Sequence, residues 1–223
     1  MSSRGSSEKV LKEKLTVPVK IGNDHIRGSI NAPITLVEYG DYECPYTGAA
    51  YPIVNEILRQ FDHDNKKICF VFRNFPLTDI HPHAQHAAEA AEAAAAQDKF
   101  WEMHDRLLEH QRELNDSHLK LHASAVGLDM ARFENELSGH VHSNRVRQDV
   151  MSGINSGVEG TPTFYINGRR YDGSWDKETL LAYMRQDEIM PANRYPNTSD
   201  VNQNKMTSKT HKTVSRRKEH ARQ

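Results

Sequence analysis

Short apolar runs and patterns of helical period alternate in the first third of the chain. Residues 34–39 (ITLVEY) form a β-branched, nearly continuous apolar run, which is typical of a strand buried on both faces. From residue 45 to residue 61 apolar residues recur at helical spacing, and Pro45 suits the first position of a helix. A second apolar run, residues 68–72 (ICFVF), predicts another buried strand. The order predicts a β-α-β unit.

The middle of the chain, residues 82–158, has no convincing strand pattern. Four helical patterns follow one another there, of which the first is rich in alanine and the second has Gln111 on its apolar stripe. A longer fifth pattern carries an apolar residue every four positions, among them Ile154. Sheet character returns at residues 163–166 (TFYI), where Asn167-Gly168 predicts a hairpin into RRY, and residues 176–186 predict a last helix. We therefore expect an α/β fold in which a helical insertion, about residues 79–158, separates a β-α-β unit from a β-β-α unit.

Composition divides the chain of 223 residues into one folded body and two tails. Apolar residues concentrate in residues 15–186, so we expect a single domain there, a flexible tail at 1–14 and a disordered basic tail at 187–223. Residues 201–223 carry seven Lys or Arg against one acid, Glu219. We expect no nucleic-acid binding beyond contacts of this tail. No apolar run of membrane-spanning length and no secretory h-region is visible, so we expect a cytoplasmic protein without membrane contact.

The chain has two cysteines, Cys44 and Cys69, which excludes a disulfide framework and any four-thiolate metal site. Cys44 lies between the first predicted strand and the helix at residue 45, where free N–H groups and the helix dipole favour a thiolate. The neighbouring Asp41 and Glu43 oppose this effect. A cysteine at this position is also compatible with a purely structural role as a small apolar residue. Cys69 lies in mid-strand, which predicts a buried core thiol.

Four segments together carry a resemblance to a known family. They are GDYECPYT after the first strand, FVFRNFPL on the second, HPHA at the start of the insertion, and GVEGTPTFYINGRRYDG, which begins where the insertion ends. Over residues 15–186 the chain resembles the DsbA-like thiol oxidoreductases, which have a thioredoxin fold with a helical insertion. The resemblance implies an α/β, thioredoxin-like fold and a thiol-disulfide activity.

The resemblance also implies roles for particular residues. Cys44 corresponds to the exposed, attacking cysteine, and Thr161-Pro162 to a cis peptide that faces it. The backbone around Thr161 and Pro162 is then expected to hold an extended substrate or glutathione beside the sulfur. Pro45 and Tyr46, which follow the cysteine, complete the expected substrate-binding set.

The chain departs from the family pattern C-x-x-C at its fourth position, which is Thr47. Without a resolving thiol, Cys44 can form a mixed disulfide but cannot release it by closing an internal ring. The Thr47 hydroxyl is placed to hydrogen-bond the Cys44 thiolate, and a capping or merely tolerated Thr is the equal alternative. Glu38 resembles the family's buried acid, and burial would raise its pKa. We take Cys44, Thr47 and Glu38 as the candidate catalytic residues.

Three histidines at the start of the insertion, His81, His83 and His86, have a spacing that brings imidazoles together. A zinc site needs a fourth ligand, and none is obvious nearby in sequence, so we expect no metal. We expect no resident cofactor, with glutathione as a candidate co-substrate. One of these histidines is a candidate neighbour of the Cys44 thiolate.

These observations favour a thiol-disulfide oxidoreductase of monothiol type. Its partners would be protein or small-molecule thiols and disulfides, and a second thiol from outside would resolve the mixed disulfide. Two alternatives stay open. One is a redox-inactive binding module that keeps the groove beside Pro162. The other is a glutathione-dependent transferase or isomerase, since kappa-class glutathione transferases are similar in architecture and need no C-x-x-C pair.

Overall fold

A five-stranded mixed sheet forms the centre of the residues that the structure, a computed structural model, describes, which are 14–61 and 67–189. The strands are β1 (His25–Gly28), β2 (Ile34–Gly40), β3 (Ile68–Asn74), β4 (Thr163–Ile166) and β5 (Arg169–Tyr171). Their order is β1-β3-β2-β4-β5, with β2 and β3 parallel and the other pairs antiparallel. This is the predicted α/β, thioredoxin-like arrangement of a β-α-β and a β-β-α unit.

Seven helices accompany the sheet within the described residues. They are α1 (Pro45–Phe61), α2 (Ala84–Ala95), α3 (Phe100–Glu109), α4 (Asp116–Ala125), α5 (Met130–Ser138), α6 (Ser143–Ser156) and α7 (Lys177–Ile189). Helices α2 to α6 form the predicted insertion between β3 and β4, so the five-helix prediction is confirmed. No helix in this part of the chain combines the length and the apolar character that crossing a bilayer requires.

The two faces of the sheet bury different clusters because successive side chains of a strand point to opposite faces. Leu36 and Phe70 belong to the larger cluster, which includes residues of α1, α7 and the insertion. Val37 and Val71 belong to the smaller cluster, with Leu15 and Phe75. The central strands β2 and β3 are therefore buried on both faces, as their continuous apolar runs predict.

The alanine-rich helix α2 is the centre of the insertion, where it contacts α3, α4, α5 and α6. Its small side chains allow several helices to approach it closely. The buried alanines are Ala84, Ala87, Ala88, Ala90, Ala91, Ala93 and Ala94. The alanine-rich composition therefore belongs to a helix that is packed in the core of the insertion.

The structure differs from the sequence-based prediction in three places. The strand β1 was not predicted, because only Ile26 among its four residues is strongly apolar and the strand pairs on one side only, with β3. Helix α3 ends at Glu109, so Gln111 lies beyond it and not on its apolar stripe. Ile154 is 53% exposed because a four-residue repeat drifts by about 40° per step around a helix of 3.6 residues per turn.

The turn between β4 and β5 is formed by Asn167 and Gly168, which have φ angles of 47° and 77°. Positive φ at both positions is what a type I′ hairpin turn requires, so this prediction is confirmed. The predicted boundaries at 14/15 and 186/187 stay predictions, and the two tails lie outside the described residues, apart from Lys14 and the last turn of α7.

The buried guanidinium of Arg73, on β3, fastens the N-terminal segment to the sheet. Its Nε donates to Asp24 Oδ1 at 2.7 Å, and one terminal nitrogen donates to the carbonyl of Val17 at 3.0 Å and to the hydroxyl of Tyr39 at 2.9 Å. The side chains of Arg73 and Asp24 are only 2% and 5% exposed. Because both charges are buried, the attraction between them is needed to offset the free-energy cost of removing each from water.

Candidate active site

Cys44 occupies the N-cap of α1, as predicted. Its backbone N–H donates to the Asp41 carbonyl at 3.1 Å, which closes the turn that follows β2. Its carbonyl accepts the first hydrogen bond of the helix, from Gly48 N–H at 3.1 Å. The thiol therefore lies at the end of the helix where backbone N–H groups lack partners and the dipole is positive.

The thiol of Cys44 donates a hydrogen bond to the carbonyl oxygen of Thr161 at 3.3 Å. The Thr161–Pro162 peptide bond is cis. This contact joins the turn after β2 to the loop before β4, so that the two sequence motifs CPY and GTPTF form a single site. The hydroxyl Oγ1 of Thr161 is buried and has no hydrogen-bond partner within the described residues.

Cys44 is buried, with 3% of its surface exposed, and the exposed position that the resemblance implied is wrong for this structure. The physical reason is its contact with the Thr161 loop, because a thiol that donates to a neighbouring carbonyl lies under that loop and not in solvent. The two residues after the cysteine point outward. Tyr46 is 66% exposed, and Pro45 is exposed as well. Pro162 is half-buried.

Thr47 lies in the first turn of α1 and is completely buried. Its Oγ1 accepts a hydrogen bond from Asp41 N–H at 3.3 Å, and no hydrogen bond joins it to the Cys44 sulfur in the described part of the chain. The oxygen of Thr47 thus stabilises the turn before the cysteine, as in the capping alternative. The hydroxyl proton is not used by this bond, so donation to a Cys44 thiolate stays a prediction.

Glu38 lies on β2, beside Phe72 of β3 and Phe164 of β4. It is 3% exposed, and burial raises its pKa from 4.5 to about 8. The carboxyl is therefore mostly protonated at neutral pH and carries a proton that it can donate. Glu38 makes no hydrogen bond to Cys44. The negative charge of its ionised form would raise the pKa of Tyr42, which lies two residues before the cysteine.

Asp41 connects three segments around the active-site turn, a role that the sequence did not indicate. One carboxylate oxygen accepts from Glu43 N–H at 2.8 Å. The other accepts from Leu77 N–H at 2.8 Å and lies 2.7 Å from Nδ1 of His81. Glu43 in turn accepts from the backbone N–H of His83 at 2.6 Å. The two acids just before Cys44 in sequence therefore both bind groups in residues 77–83, at the start of the insertion.

Gln111 lies in the connection between α3 and α4 and reaches the active-site turn. Its Nε2 donates to the carbonyl of Tyr42 at 2.9 Å and to the carbonyl of Cys44 at 2.8 Å. The sequence placed Gln111 on a helical stripe, and no short-range signal distinguishes it from any other polar residue after a helix. The contact depends on the packing of the whole insertion against α1.

A buried pair below the turn completes the surroundings of Cys44. The hydroxyl of Tyr42 and Nδ1 of His104 share a hydrogen bond of 3.2 Å. Burial lowers the pKa of His104 well below its usual value and raises that of Tyr42 well above. Both side chains are therefore neutral at physiological pH, and the low pKa of His104 makes its imidazole a weak acceptor for the proton of a thiol.

The second cysteine, Cys69, is fully buried, as predicted, although it is the second residue of β3 and does not lie in the middle of the strand. Burial, with a smaller contribution from Asp24, raises the pKa of its thiol to about 12. Cys44 and Cys69 are both free thiols. A neutral buried thiol is a poor nucleophile, so Cys69 is not a resolving partner.

The three histidines at the start of the insertion do not converge on one point. His81 pairs with Asp41, and Nδ1 of His86 lies 2.7 Å from Asp116, while His83 is exposed. Among the described residues, no group of three or more His, Cys, Asp or Glu side chains has the arrangement of a metal site. His81 is therefore the histidine that reaches the Cys44 turn, through Asp41.

The geometry is that of a DsbA-like thioredoxin fold, with a cysteine at a helix N-terminus opposite a cis-proline loop. The family model described as Thioredoxin matches residues 20–186, and the chain belongs to that family. It resembles BdbD from Bacillus subtilis in its oxidised form, with a TM-score of 0.70, 22% identity and coverage of 79% of this chain and 99% of that one. It also resembles the thiol-disulfide exchange protein α-DsbA2 from Wolbachia pipientis, with a TM-score of 0.68, 20% identity and coverage of 82% and 99%.

Curated relatives with higher identity are named as antiporters. The chain is 49% identical over 178 residues to Na⁺/H⁺ antiporter NhaA 3 from Salinispora tropica, which covers 80% of this chain and 26% of the relative. It is 42% identical over 169 residues to Na⁺/H⁺ antiporter NhaA 1 from Mycobacterium sp. strain KMS, covering 75% and 27%. The chain thus spans about a quarter of the length of these relatives.

Proposed function

We propose that this protein is a thiol-disulfide oxidoreductase of monothiol type whose nucleophile is Cys44. The observation that carries the proposal is the contact of the Cys44 thiol with the carbonyl of Thr161, at 3.3 Å. It places a sulfur at a helix N-terminus beside the backbone that precedes a cis-proline. The same carbonyl is an acceptor for the backbone of an extended substrate once the thiol ionises and no longer donates to it.

The reaction proceeds in two exchange steps. The Cys44 thiolate attacks one sulfur of a disulfide, forms a mixed disulfide and releases the other sulfur as a thiolate. A second thiolate, from glutathione or a protein, then attacks the partner's sulfur in the mixed disulfide and releases Cys44. Thr47 supplies no sulfur, so the second thiol comes from outside the chain. The electrons balance because one disulfide is exchanged for another.

The buried hydroxyl of Thr161 supports the proposal that glutathione or an extended peptide binds in this loop. Buried polar groups normally have hydrogen-bond partners, and an unpaired one commonly reflects a ligand or an ordered water. The exposed Tyr46 and Pro45, which follow the cysteine in sequence, offer apolar contact area for the same ligand. We propose no resident cofactor or metal for the reaction, and a cytoplasmic location stays a prediction.

The proposal is tested by intact mass measurement of the native protein after incubation with oxidised glutathione. We expect one glutathione adduct, which peptide mapping assigns to Cys44. Cys44→Ser should abolish the adduct, and Cys69→Ser, the matched control, should leave it unchanged. A native protein that takes up no glutathione, while both thiols react after unfolding, would show that Cys44 is inert and would favour the binding module.

The burial of Cys44 favours that second candidate, a redox-inactive binding module, more than the sequence alone does. A module of this kind would bind glutathione or an extended peptide at the Thr161 loop with the same affinity in wild type and Cys44→Ser. A glutathione-dependent transferase or isomerase would bind glutathione but would not reduce disulfides. Calorimetry with reduced glutathione, together with a disulfide-reduction assay, separates these outcomes.

The identity with a segment of Na⁺/H⁺ antiporters supports a further proposal, that this domain works beside a transporter of that kind. The matched segment of the Salinispora tropica antiporter can be deleted and this protein supplied separately in vesicles. We expect the added wild-type protein to change Na⁺-dependent proton exchange, and Cys44→Ser to show whether the thiol is needed. Exchange rates that do not respond to either protein would contradict this association.

A further inference from the structure

Gln111 is the one side chain of the α3–α4 connection whose hydrogen bonds, among the described residues, reach the carbonyls of the active-site turn. Its single amide nitrogen donates to the carbonyls of Tyr42 and Cys44 at 2.9 and 2.8 Å, so both of its N–H groups are used. We infer that Gln111 is a positioning residue for Cys44, through which the helical insertion sets the orientation and reactivity of the thiol. The inference rests on the proposed thiol chemistry.

The close approach of Gly48 to Gln111 is a second observation in favour of this role. A Cβ at position 48 would lie 1.9 Å from Oε1 of Gln111 and 2.4 Å from its Cδ. A glycine inside a helix costs about 1 kcal/mol relative to alanine, so a glycine at the fourth position of α1 calls for a packing reason. The glutamine supplies that reason, because it fits against α1 only where no side chain projects.

The effect on the sulfur follows from what the two carbonyls do. The Cys44 carbonyl accepts the first helical hydrogen bond from Gly48 N–H as well as the bond from Gln111. With both acceptors satisfied, the N-cap has one fixed conformation, and the thiol points to the Thr161 carbonyl. The amide N–H groups also neutralise part of the negative potential of these carbonyls, which favours a thiolate close to them.

The first test compares Gln111→Ala with Gln97→Ala. Gln97 is a matched control because its side-chain amide also lies in the insertion and also binds backbone. Its oxygen accepts from Asp129 N–H and its nitrogen donates to the Asp129 carbonyl, and it makes no hydrogen bond to the Cys44 turn. We expect Gln111→Ala to slow glutathionylation of Cys44 at least fivefold and to move the appearance of thiolate absorbance to higher pH. Gln97→Ala should change neither, although both variants lose stability.

A double-mutant cycle with Gly48→Ala tests the same inference without relying on one variant. In wild type, the added methyl group should displace Gln111 and slow the thiol about as much as Gln111→Ala does. In the Gln111→Ala background the space is free, so Gly48→Ala should not slow the thiol further and should stabilise the helix. Additive effects of the two substitutions would overturn the inference, as would a folded Gln111→Ala protein with wild-type rate and pH dependence.

Failure of the inference and failure of the proposed function give different results. If Cys44 is not a nucleophile, the wild-type protein itself shows no selective adduct, which overturns the proposed function and the inference together. If Cys44 reacts but Gln111 does not position it, wild type and Gln111→Ala react alike. The Gln111→Glu variant adds a last check, because a carboxylate offers only acceptors to the two carbonyls and should slow the thiol more than alanine does.

Discussion

The Cys44 sulfur and the Thr161 carbonyl oxygen are 3.3 Å apart in space and 117 positions apart in the chain. Neither residue forms a site alone. The helix N-terminus favours a thiolate at Cys44, and the Thr161 loop determines which groups can approach it. The contact also covers the sulfur, since the loop that carries the Thr161 carbonyl lies against the buried thiol.

Thr161 and Thr163 allow a test of which polar groups in the loop serve a ligand. Oγ1 of Thr161 is unpaired and buried, whereas Oγ1 of Thr163 donates to the Gly160 carbonyl at 2.7 Å. Thr161→Val should leave the free energy of unfolding unchanged or raise it, and should weaken glutathione binding. Thr163→Val should lower the free energy of unfolding by about 1 kcal/mol. Urea unfolding and calorimetry measure both quantities, and equal glutathione affinity in wild type and Thr161→Val would exclude the hydroxyl as a ligand contact.

Thr47→Cys should convert the protein into a dithiol enzyme. The new thiol would lie one helical turn after Cys44, from where it can attack a mixed disulfide and release the substrate. We expect faster insulin reduction than in wild type and an internal disulfide on oxidation. Thr47→Ser keeps the hydroxyl without adding sulfur and should not gain activity. A variant with no gain would mean that the geometry of the turn does not allow ring closure.

Glu38→Gln should change how stability depends on pH. Because burial raises the pKa of Glu38 from 4.5 to about 8, the folded protein binds a proton in this range that the unfolded chain has lost. Stability from this group is fully present below pH 4.5 and falls as pH rises to about 8, by up to about 5 kcal/mol. Glu38→Gln should remove this slope.

The measurement for Glu38 is urea unfolding at intervals between pH 5 and pH 8. Asp149, whose pKa burial raises to about 6, contributes a slope between pH 3.8 and 6 in both proteins, so the difference between them isolates Glu38. The variant should be the more stable protein at pH 8. Parallel curves for the two proteins would show that the Glu38 carboxyl titrates normally.

Arg73→Met should be strongly destabilising, by about 3 to 5 kcal/mol, because it leaves the buried Asp24 carboxylate without its partner. Lys99→Met is the control, since its pair with Glu102 is exposed, and it should cost less than about 0.5 kcal/mol. Adding Asp24→Asn to Arg73→Met should recover part of the loss. Urea unfolding checks all three proteins, and a loss for Arg73→Met no greater than for Lys99→Met would contradict the prediction.

The parts of the fold that the sequence predicts are those determined by local periodicity. The strands β2 and β3 and helix α1 follow from apolar spacing, and the β4–β5 hairpin follows from the conformational freedom of Asn167 and Gly168. The short strand β1 was missed because its pairing with β3 is a long-range event that needs no apolar pattern of its own. Candidate residues at the site came from the CPY and GTPTF motifs.

The supporting residues of the site could not be found in this way. Gln111 and Asp41 act through backbone groups of distant segments, and a backbone carbonyl or N–H has no signature in the sequence. The prediction that Cys44 is exposed was wrong for the same reason. Whether a thiol at a helix N-terminus is open or covered depends on a loop more than a hundred positions away.

The distance along the chain between the two halves of the site also has a consequence for biosynthesis. At about 5 to 20 residues per second, a ribosome adds the 117 residues from Cys44 to Thr161 in about 6 to 23 seconds. During that interval the nascent polypeptide carries the thiol without the carbonyl that later covers it. Cys44 is therefore most accessible to oxidants and electrophiles before translation ends, and chemical damage at this position would be acquired by the growing chain more readily than by the finished protein.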